Sequence, residues 1–297
     1  MILRKPTDSL VVGFSAGPKY RVAFADVTEA VHAISDLQYC GPASEYVLAG
    51  MLASTALMGA DVHRPSESLG VRMECDGLAA GSYTEIATGG NVRGYMRRKV
   101  LEECDADPIA NHDKLLGGDL KAQAFLARPG EEPDAKSVFR VAPPTFRNLV
   151  ESYFLQSFQI PTWANIGIRM DSAGVAKAMG FLVQCMPDGD MAGFVDKVDV
   201  FTSDEALARV MDDPVLETMR FALDLPDLEI GTTTPLAFRC GCSRERSRAM
   251  LAGLPLKDLE EMVAAGASQT VTCHFCGSAY EYSQEDLKEI LAERKNV

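Results

Sequence analysis

The chain lacks the long apolar runs that mark membrane and secreted proteins. Its most apolar stretch without a charged side chain covers residues 46–60, and these 15 residues fall short of the roughly 20 that a transmembrane helix needs. Residues 1–6 lead into a polar stretch without the apolar core of a signal peptide. No internal repeat, low-complexity tract or nucleotide-binding glycine loop is visible. We therefore expect a cytoplasmic protein that does not use such a loop to bind ATP.

Positive charge is also scarce. The chain carries 29 basic and 42 acidic residues, which give a net charge of −13. Residues 187–239 contribute −8 of this charge, residues 240–297 contribute −2, and residues 1–186 contribute the remaining −3. No segment has the basic excess that is typical of a phosphate-binding surface. This distribution argues against nucleic acid as a partner.

Apolar residues make up 47% of the 297-residue chain, which is enough for a substantial core. We predict an α+β protein in which residues 1–186 form a mixed α/β core domain. Helical spacing of apolar residues predicts a helix from about Thr145, and small residues after Pro42 predict a close-packed core helix. Strand patterns are found at residues 70–75, 120–127, 164–170 and 180–185.

Residues 187–239, hereafter the acidic segment, are broken by four prolines and predict a short helical linker. Thr202 and Glu205 resemble a capping box ahead of one helix, and Asp213 with Pro214 is typical of the start of a second. Both helices are too short to persist alone, so we expect them to be docked. The segment is either permanently docked or balanced between docked and undocked states. The apolar face of the second helix consists of Val215, Leu216, Met219, Ala222 and Leu223.

Residues 240–297 predict a small C-terminal module. Ser243 is expected to cap a helix that ends at Gly253, a second helix covers about residues 255–266, and Ser283 with Asp286 caps a last helix. A module of 58 residues buries little apolar surface, and domains of this size commonly depend on a metal ion or on disulfides.

The chain has eight cysteines, and they fall into two groups. The first group is scattered among apolar neighbours and consists of Cys40, Cys75, Cys104 and Cys185. In such surroundings a cysteine usually serves as a small buried apolar side chain. The other group has the spacing of metal ligands and consists of Cys240, Cys242, Cys273 and Cys276. Two short pairs of thiolates supply a tetrahedral zinc site, so we predict one zinc ion per chain, with His274 as a less favoured alternative ligand. Gly241 provides backbone freedom in the tighter pair.

Three interpretations of this site compete. The zinc ion is purely structural, or Cys273 and Cys276 form a thioredoxin-like redox pair, or oxidation expels the metal and unfolds the module. The second interpretation lacks the expected strand-to-helix setting. The third is favoured on energetic grounds, because a structural zinc ion contributes about 10–16 kcal/mol of apparent binding free energy. Disulfides that close very short loops constrain the unfolded chain little by comparison.

The cysteine motif has two parts, which read Arg-Cys-Gly-Cys-Ser-Arg-Glu-Arg at residues 239–246 and Cys-His-Phe-Cys-Gly at residues 273–277. This motif closely resembles that of the redox-regulated chaperone family heat shock protein 33. Further similarity covers Gly94 and Tyr95 and the segments at residues 153–162 and 180–187. The resemblance implies a non-enzymatic, ATP-independent holdase that is inactive while reduced and bound to zinc.

The same resemblance implies how the protein is activated. Oxidation is expected to form the disulfides Cys240–Cys242 and Cys273–Cys276, release the zinc ion and unfold the acidic segment. The protein then binds unfolding client proteins, usually as a homodimer, under oxidative or heat stress. High acidity suits such a protein, because net charge keeps it soluble. The alternative is a nucleic-acid-binding protein with a structural zinc ion, for which the local basic residues are Arg239, Arg244, Arg246 and Arg248.

Overall fold

A computed structural model describes residues 8–128 and 135–295 of the chain. The chain divides into two compact units, Met1–Arg239 and Cys240–Val297. Among the helices of the described residues, none combines the length and the apolar character needed to cross a membrane.

The first unit is built from two sheets and a set of helices. Its strands are β1 (Ser9–Ser15), β2 (Tyr20–Asp26), β3 (Ser68–Cys75), β4 (Gly81–Ala87), β5 (Asn91–Met96), β6 (Leu120–Ala127), β7 (Ala135–Val141), β8 (Thr162–Asp171), β9 (Gly174–Cys185), β10 (Leu228–Pro235) and β11 (Ala237–Phe238). Its helices are α1 (Thr28–Gln38), α2 (Pro42–Met58), α3 (His112–Leu116), α4 (Phe146–Phe158), α5 (Met191–Asp196), α6 (Val198–Phe201), α7 (Asp204–Asp212) and α8 (Leu216–Ala222).

The first sheet has the strand order β10-β1-β2-β9-β8, and all of its neighbouring strands are antiparallel. The second sheet has the order β11-β5-β4-β3-β6-β7, in which only the short β11 runs parallel to its neighbour. The predicted α+β class is confirmed. The strands expected at residues 70–75, 120–127, 164–170 and 180–185 are also confirmed, as β3, β6, β8 and β9.

Helix α2 lies at the centre of the core and is buried on every side, from Ala43 to Met58. Its small residues permit close packing: a methyl group added at Gly50 would lie 2.3 Å from the ring of Phe146. Helix α4 starts at its predicted cap, where the side chain of Thr145 accepts a hydrogen bond from the amide of Asn148 (3.1 Å). Together these helices cover one face of the first sheet, which we call the inner face.

The opposite, outer face of the first sheet is covered by the acidic segment. Alternation along β2 and β9 directs one set of side chains to each face, as strand geometry requires. Ala23 and Leu182 join the inner core, whereas Phe24, Phe181 and Val183 join a second cluster. The acidic segment supplies the other half of that outer cluster, with Phe194, Phe201, Ala206, Leu207, Val210, Met211, Met219, Ala222, Leu223, Leu225 and Leu228.

Helix α7 approaches β8 closely, and a glycine makes this approach possible. A methyl group added at Gly167 would lie 2.5 Å from Sδ of Met211 and 2.8 Å from Cδ2 of Leu207. Polar side chains of the core hold the start of the same helix. Arg147 donates to the carbonyl of Thr202 (3.0 Å), and Asn165 donates through its side-chain amide to the carbonyl of Ser203 (3.1 Å).

The start of each linker helix differs from its sequence prediction. Ser203, not Thr202, caps α7, because its hydroxyl accepts from the amides of Glu205 and Ala206. Helix α8 begins at Leu216 instead of Pro214. The residue before a proline avoids helical angles, and here the amide of Val215 bonds back to the carbonyl of Asp213 (2.8 Å), which delays the helix.

The second unit contains α9 (Arg244–Ala252), α10 (Leu256–Ala264), β12 (Gln269–Thr272), β13 (Ala279–Tyr282) and α11 (Gln284–Lys295). Its apolar core is small and centres on five buried side chains: Leu251, Leu259, Tyr282, Leu287 and Ile290. The two predicted caps are confirmed. Ser243 accepts from the amide of Arg246 (3.2 Å), and Ser283 and Asp286 form a reciprocal capping box.

Candidate metal and redox centre

Two local structures present the four C-terminal cysteines. Cys240 and Cys242 directly precede the cap of α9, so the start of that helix fixes the end of the first pair. Cys273 and Cys276 lie in the turn between the antiparallel strands β12 and β13. The amide of Gly277 bonds to the carbonyl of Cys273 (2.9 Å), and Gly277 has a φ of 71°, a conformation that glycine adopts without strain.

Gly241, between the two cysteines of the tighter pair, was predicted to contribute backbone freedom. This residue does not have a positive φ. Its carbonyl instead accepts a hydrogen bond from the guanidinium of Arg246 (2.5 Å), and a methyl group added at Gly241 would lie 2.6 Å from Nη1 of that arginine. The close atom is the end of a flexible side chain that can move aside, so neither this contact nor left-handed backbone angles require glycine at this position.

The four sulfur atoms converge on one point. All four Sγ atoms lie within 4.8 Å of one another. The Sγ atoms of Cys240 and Cys273 are 3.6 Å apart, and those of Cys242 and Cys276 are 3.3 Å apart. Four sulfurs bound at about 2.3 Å around a tetrahedral zinc ion would lie about 3.8 Å from each other. The donor set and its spacing therefore fit a metal ion of this kind. Among the described residues, this is the one group of three or more histidine, cysteine or acidic side chains close enough to share an ion.

The surroundings shift the pKa values of Cys240, Cys273 and Cys276 in different directions. Burial raises the pKa of Cys240 and that of Cys273. Burial also acts on Cys276, but hydrogen bonds with the side chain and the backbone of Ser278 outweigh it and lower the pKa of that thiol to about 7. Four thiolates this close repel one another, so full deprotonation requires a cation between them. A bound divalent metal ion supplies the required charge.

Tyr280 is a polar neighbour of the four cysteines. Its hydroxyl donates a hydrogen bond to Sγ of Cys242 (3.1 Å). This bond raises the pKa of the Tyr280 hydroxyl to about 12, so the group remains a donor at neutral pH. Hydrogen bonds of this kind from outside the ligand set orient metal ligands and tune their charge. The register of β12 and β13, which pairs Val271 with Tyr280, brings the hydroxyl to the sulfur.

The structure also bears on the alternative interpretations of the site. His274 is not a member of the four-cysteine group. The turn that carries Cys273 and Cys276 leads into β13, not into the helix that a thioredoxin-like pair would precede.

Arg244 and Arg248, two of the basic residues next to the cysteines in the sequence, form ion pairs within the module. Arg244 pairs with Asp286 (3.0 Å) and stacks over the ring of Tyr282, 4.6 Å from its centroid. Arg248 forms a bidentate pair with Glu293 (2.8 Å for both bonds). These carboxylates offset the positive charge that a phosphate contact would use. Arg239 lies in the first unit, where its amide bonds to the carbonyl of Val92 (3.1 Å).

The apolar face predicted for the second linker helix is partly buried. Met219, Ala222 and Leu223 are buried in the outer cluster, and Leu216 packs at its edge. Val215 is 48% exposed and precedes the helix, so it lies outside this face. The buried face of α7, with Ala206, Leu207, Val210 and Met211, is the larger contact with the sheet.

The four other cysteines are remote from the centre in sequence and lie in the first unit. Cys104 and Cys185 are buried, whereas Cys40 and Cys75 are half-buried. Burial raises the pKa of Cys40, Cys75 and Cys185, which keeps these thiols protonated and slow to react.

We expect these four residues to be dispensable for redox control. A variant with Cys40, Cys75, Cys104 and Cys185 all changed to Ser or Ala should keep its zinc content and its response to peroxide, although the buried sites will lose stability. Metal analysis and thiol titration on the folded variant test this. A folded variant that no longer responds to peroxide would place part of the switch in the first unit.

Comparison with known proteins adds independent evidence. A family model described as "Hsp33 protein" matches residues 8–283. The 33 kDa chaperonin of Clostridium botulinum (strain 657) is 25% identical over 303 residues and covers 97% of this chain and 99% of its own. The 33 kDa chaperonin of Clostridium perfringens (strain SM101) is 24% identical, with coverage of 97% and 93%. A crystal structure of the 33 kDa chaperonin from Thermotoga maritima superimposes on this chain with a TM-score of 0.76 at 21% identity. The match covers 98% of this chain and 99% of the other, and it establishes a shared fold.

Proposed function

The chain belongs to the Hsp33 family, and from this premise we propose that it is a redox-regulated, ATP-independent holdase chaperone. In the reduced state its four-cysteine centre binds one zinc ion. Oxidation of that centre releases the metal, unfolds residues 240–297, undocks the acidic segment and exposes apolar surface to unfolding client proteins. The oxidised form acts as a homodimer. The convergence of four sulfurs within 4.8 Å in a module with a very small core is the observation that carries this proposal.

Zinc is the metal that best suits the donor set, since four thiolates in a closed site are typical of structural zinc. Cys240, Cys242, Cys273 and Cys276 would hold it. The ion supplies the positive charge that allows four neighbouring thiolates to coexist. Five buried side chains are a weak basis for an independent fold, so the free energy of metal binding is largely the free energy of folding of the module.

Oxidation removes the ligands in pairs. Each peroxide molecule accepts two electrons from one pair of thiolates, so that its O–O bond breaks and one S–S bond forms. Two protons taken up from solvent complete the two molecules of water that leave. Within each pair the new disulfide closes a very short loop, which stabilises the folded chain little. Formation of the disulfides Cys240–Cys242 and Cys273–Cys276 therefore replaces the large contribution of metal binding to the stability of the module with the small contribution of two short-loop disulfides.

The acidic segment connects the centre to the rest of the chain. It ends at Arg239, and Cys240 follows directly. While docked, the segment buries the outer face of the first sheet, including Tyr20, Phe24 and Phe181. Its charge of −8 favours expansion through self-repulsion once its contacts weaken. Undocking would expose these aromatic side chains together, which is the kind of surface that a holdase offers to unfolded chains.

Stepwise oxidation tests this function. During peroxide titration of the reduced protein, we expect zinc release and suppression of client aggregation to rise together and to be complete at two disulfides per chain. A metal-binding dye reports the zinc, and light scattering of a thermally unfolding client reports the activity. Reduction with added zinc should reverse both signals. Zinc release without any gain in suppression would leave the metal with a structural role only.

A further inference from the structure

Strand β10 closes one edge of the first sheet, although it belongs to the acidic segment. It pairs with β1 in antiparallel register from Ser15↔Leu228 to Ser9↔Pro235, with one irregularity beside Gly13. Because β10 is the outermost strand of this sheet, β1 would be the edge without it. The acidic segment, which we propose to undock, therefore covers this edge of the sheet with its strand β10.

Side chains contribute little to the pairing of β10. Only Leu228 is buried, and from residue 229 to residue 235 every side chain except the half-buried Thr234 is exposed. The exposed run reads Glu-Ile-Gly-Thr-Thr, which offers no apolar face. The pairing therefore depends on main-chain hydrogen bonds, which any extended chain can form.

Contacts at the two ends hold β10 in place. At one end the carboxylate of Asp227 accepts hydrogen bonds from the hydroxyl of Ser15 and the amide of Gly17 (2.6 Å), and Leu228 is fully buried. At the other end Leu236 is buried, and its amide bonds to the carbonyl of Asp8 (3.0 Å). Without these end contacts only the main-chain hydrogen bonds to β1 would hold the strand, and another extended chain can form the same bonds.

The strand beneath β10 is well suited to accept a replacement. Residues 10–14 of β1 read Leu-Val-Val-Gly-Phe and carry no charge, and Phe14 is already 43% exposed beside β10. An uncharged, apolar edge is a ready template for another strand, and natural proteins usually cover such an edge. Unfolding proteins expose extended segments rich in β-branched and apolar residues.

We propose that undocking of the acidic segment opens the edge of β1, and that an extended segment of an unfolding client then pairs with β1 in place of β10. This inference rests on the proposed function and specifies how clients are held. Main-chain pairing provides affinity without sequence specificity, as in other cases of strand addition. Side chains of the client gain contact with Val11 or Phe14 according to the face they occupy.

Peptide binding tests the main-chain part of this inference. The probe is a fluorescent 12-residue peptide of alternating Val and Thr with Lys at both ends, and its matched control carries N-methyl groups at several consecutive central amides. The control has the same side chains, but both of its edges are blocked for strand pairing, because successive amides point to opposite edges. We expect fluorescence anisotropy to show that oxidised protein binds the probe at least tenfold more tightly than the control, and that reduced protein binds neither. Equal binding of probe and control would overturn the inference.

A disulfide tether tests the location. The paired residues Phe14 and Glu229 are both exposed, so Phe14→Cys with Glu229→Cys should lock β10 onto β1 after oxidation. The control tether joins Arg72→Cys and Gln123→Cys, which are paired in the second sheet. Both proteins should release zinc, but the first should bind the probe at least tenfold more weakly than the second. Equal binding by the two tethered proteins would overturn the inference.

Two further outcomes are distinguishable. In the first experiment, the single variants Phe14→Cys and Glu229→Cys are oxidised and mixed. A cross-link between two chains would mean that a second copy of the protein, and not a client, pairs with β1. That result would overturn the inference. If the oxidised protein without a tether fails to suppress client aggregation, the proposed function itself fails. If it suppresses aggregation and the tether changes nothing, only the assignment of the β1 edge fails.

Discussion

Reduced protein that carries Cys242→Ala is expected to lose its zinc and the fold of residues 240–297, while the core domain of residues 1–186 stays folded. Cys242 is a ligand in the proposed site and also accepts the hydrogen bond from Tyr280, so its removal opens the coordination sphere and leaves that hydroxyl without this acceptor. A structural zinc ion contributes about 10–16 kcal/mol of apparent binding free energy. The five buried side chains of the module cannot replace that contribution.

The measurement is metal content together with amide chemical-shift dispersion of the full chain. Signals from the module should collapse to unfolded positions, and signals from the core domain of residues 1–186 should persist. Cys104→Ala is the matched control: it deletes a buried thiol in the first unit, so the zinc and the module should be retained. A Cys242→Ala protein that keeps a dispersed spectrum for residues 240–295 without metal would contradict the proposed role of zinc.

Val210→Asp is expected to make the protein active while it is still reduced and bound to zinc. Val210 is only 1% exposed within the outer cluster, so a carboxylate there would be an unpaired buried charge that costs about 3–5 kcal/mol. Helix α7 has nine residues and is too short to persist without docking. The helix should therefore leave the sheet, and the outer face should be exposed without oxidation.

Val215→Asp is the control for this experiment, since it introduces the same charge five residues further along. Val215 is 48% exposed and precedes α8, so the reduced Val215→Asp protein should stay docked and inactive. Hydrogen exchange across residues 204–222 reports docking, and client light scattering reports activity. If reduced Val210→Asp exchanges rapidly but suppresses no aggregation, undocking of α7 is not what exposes the client surface.

The four-cysteine cluster was predictable from the sequence because its information is local. Cysteine spacing, the cap at Ser243 and the capping box at Ser283 are all encoded within a few residues, and the structure confirms both caps. Strands and helices with strong periodicity, such as β3 and α4, were also predictable. The hydrogen bond from Arg246 to the carbonyl of Gly241 was not predictable, because the spacing of the cysteines does not reveal it.

The elements of the acidic segment were harder to predict because they depend on distant partners. Strand β10 has no alternating apolar pattern, and it becomes a strand by pairing with β1, which lies more than 200 residues earlier in the chain. The exposure of Val215 follows from a turn at Asp213 and Pro214 that displaced the start of the helix. The sequence does predict that residues 180–185 are buried, but not that the acidic segment covers one of their two faces.

The single tryptophan of the chain lies where the acidic segment meets the first sheet. Trp163, in β8, stacks on Phe194 of α5 with ring centroids 6.1 Å apart, and its indole N–H donates to the carbonyl of Phe194 (3.3 Å). Indole emission depends on hydrogen bonding and on exposure to water, so departure of α5 would shift it toward longer wavelength. The native protein thus contains its own optical reporter, and the undocking rate can be followed by stopped-flow fluorescence without any label.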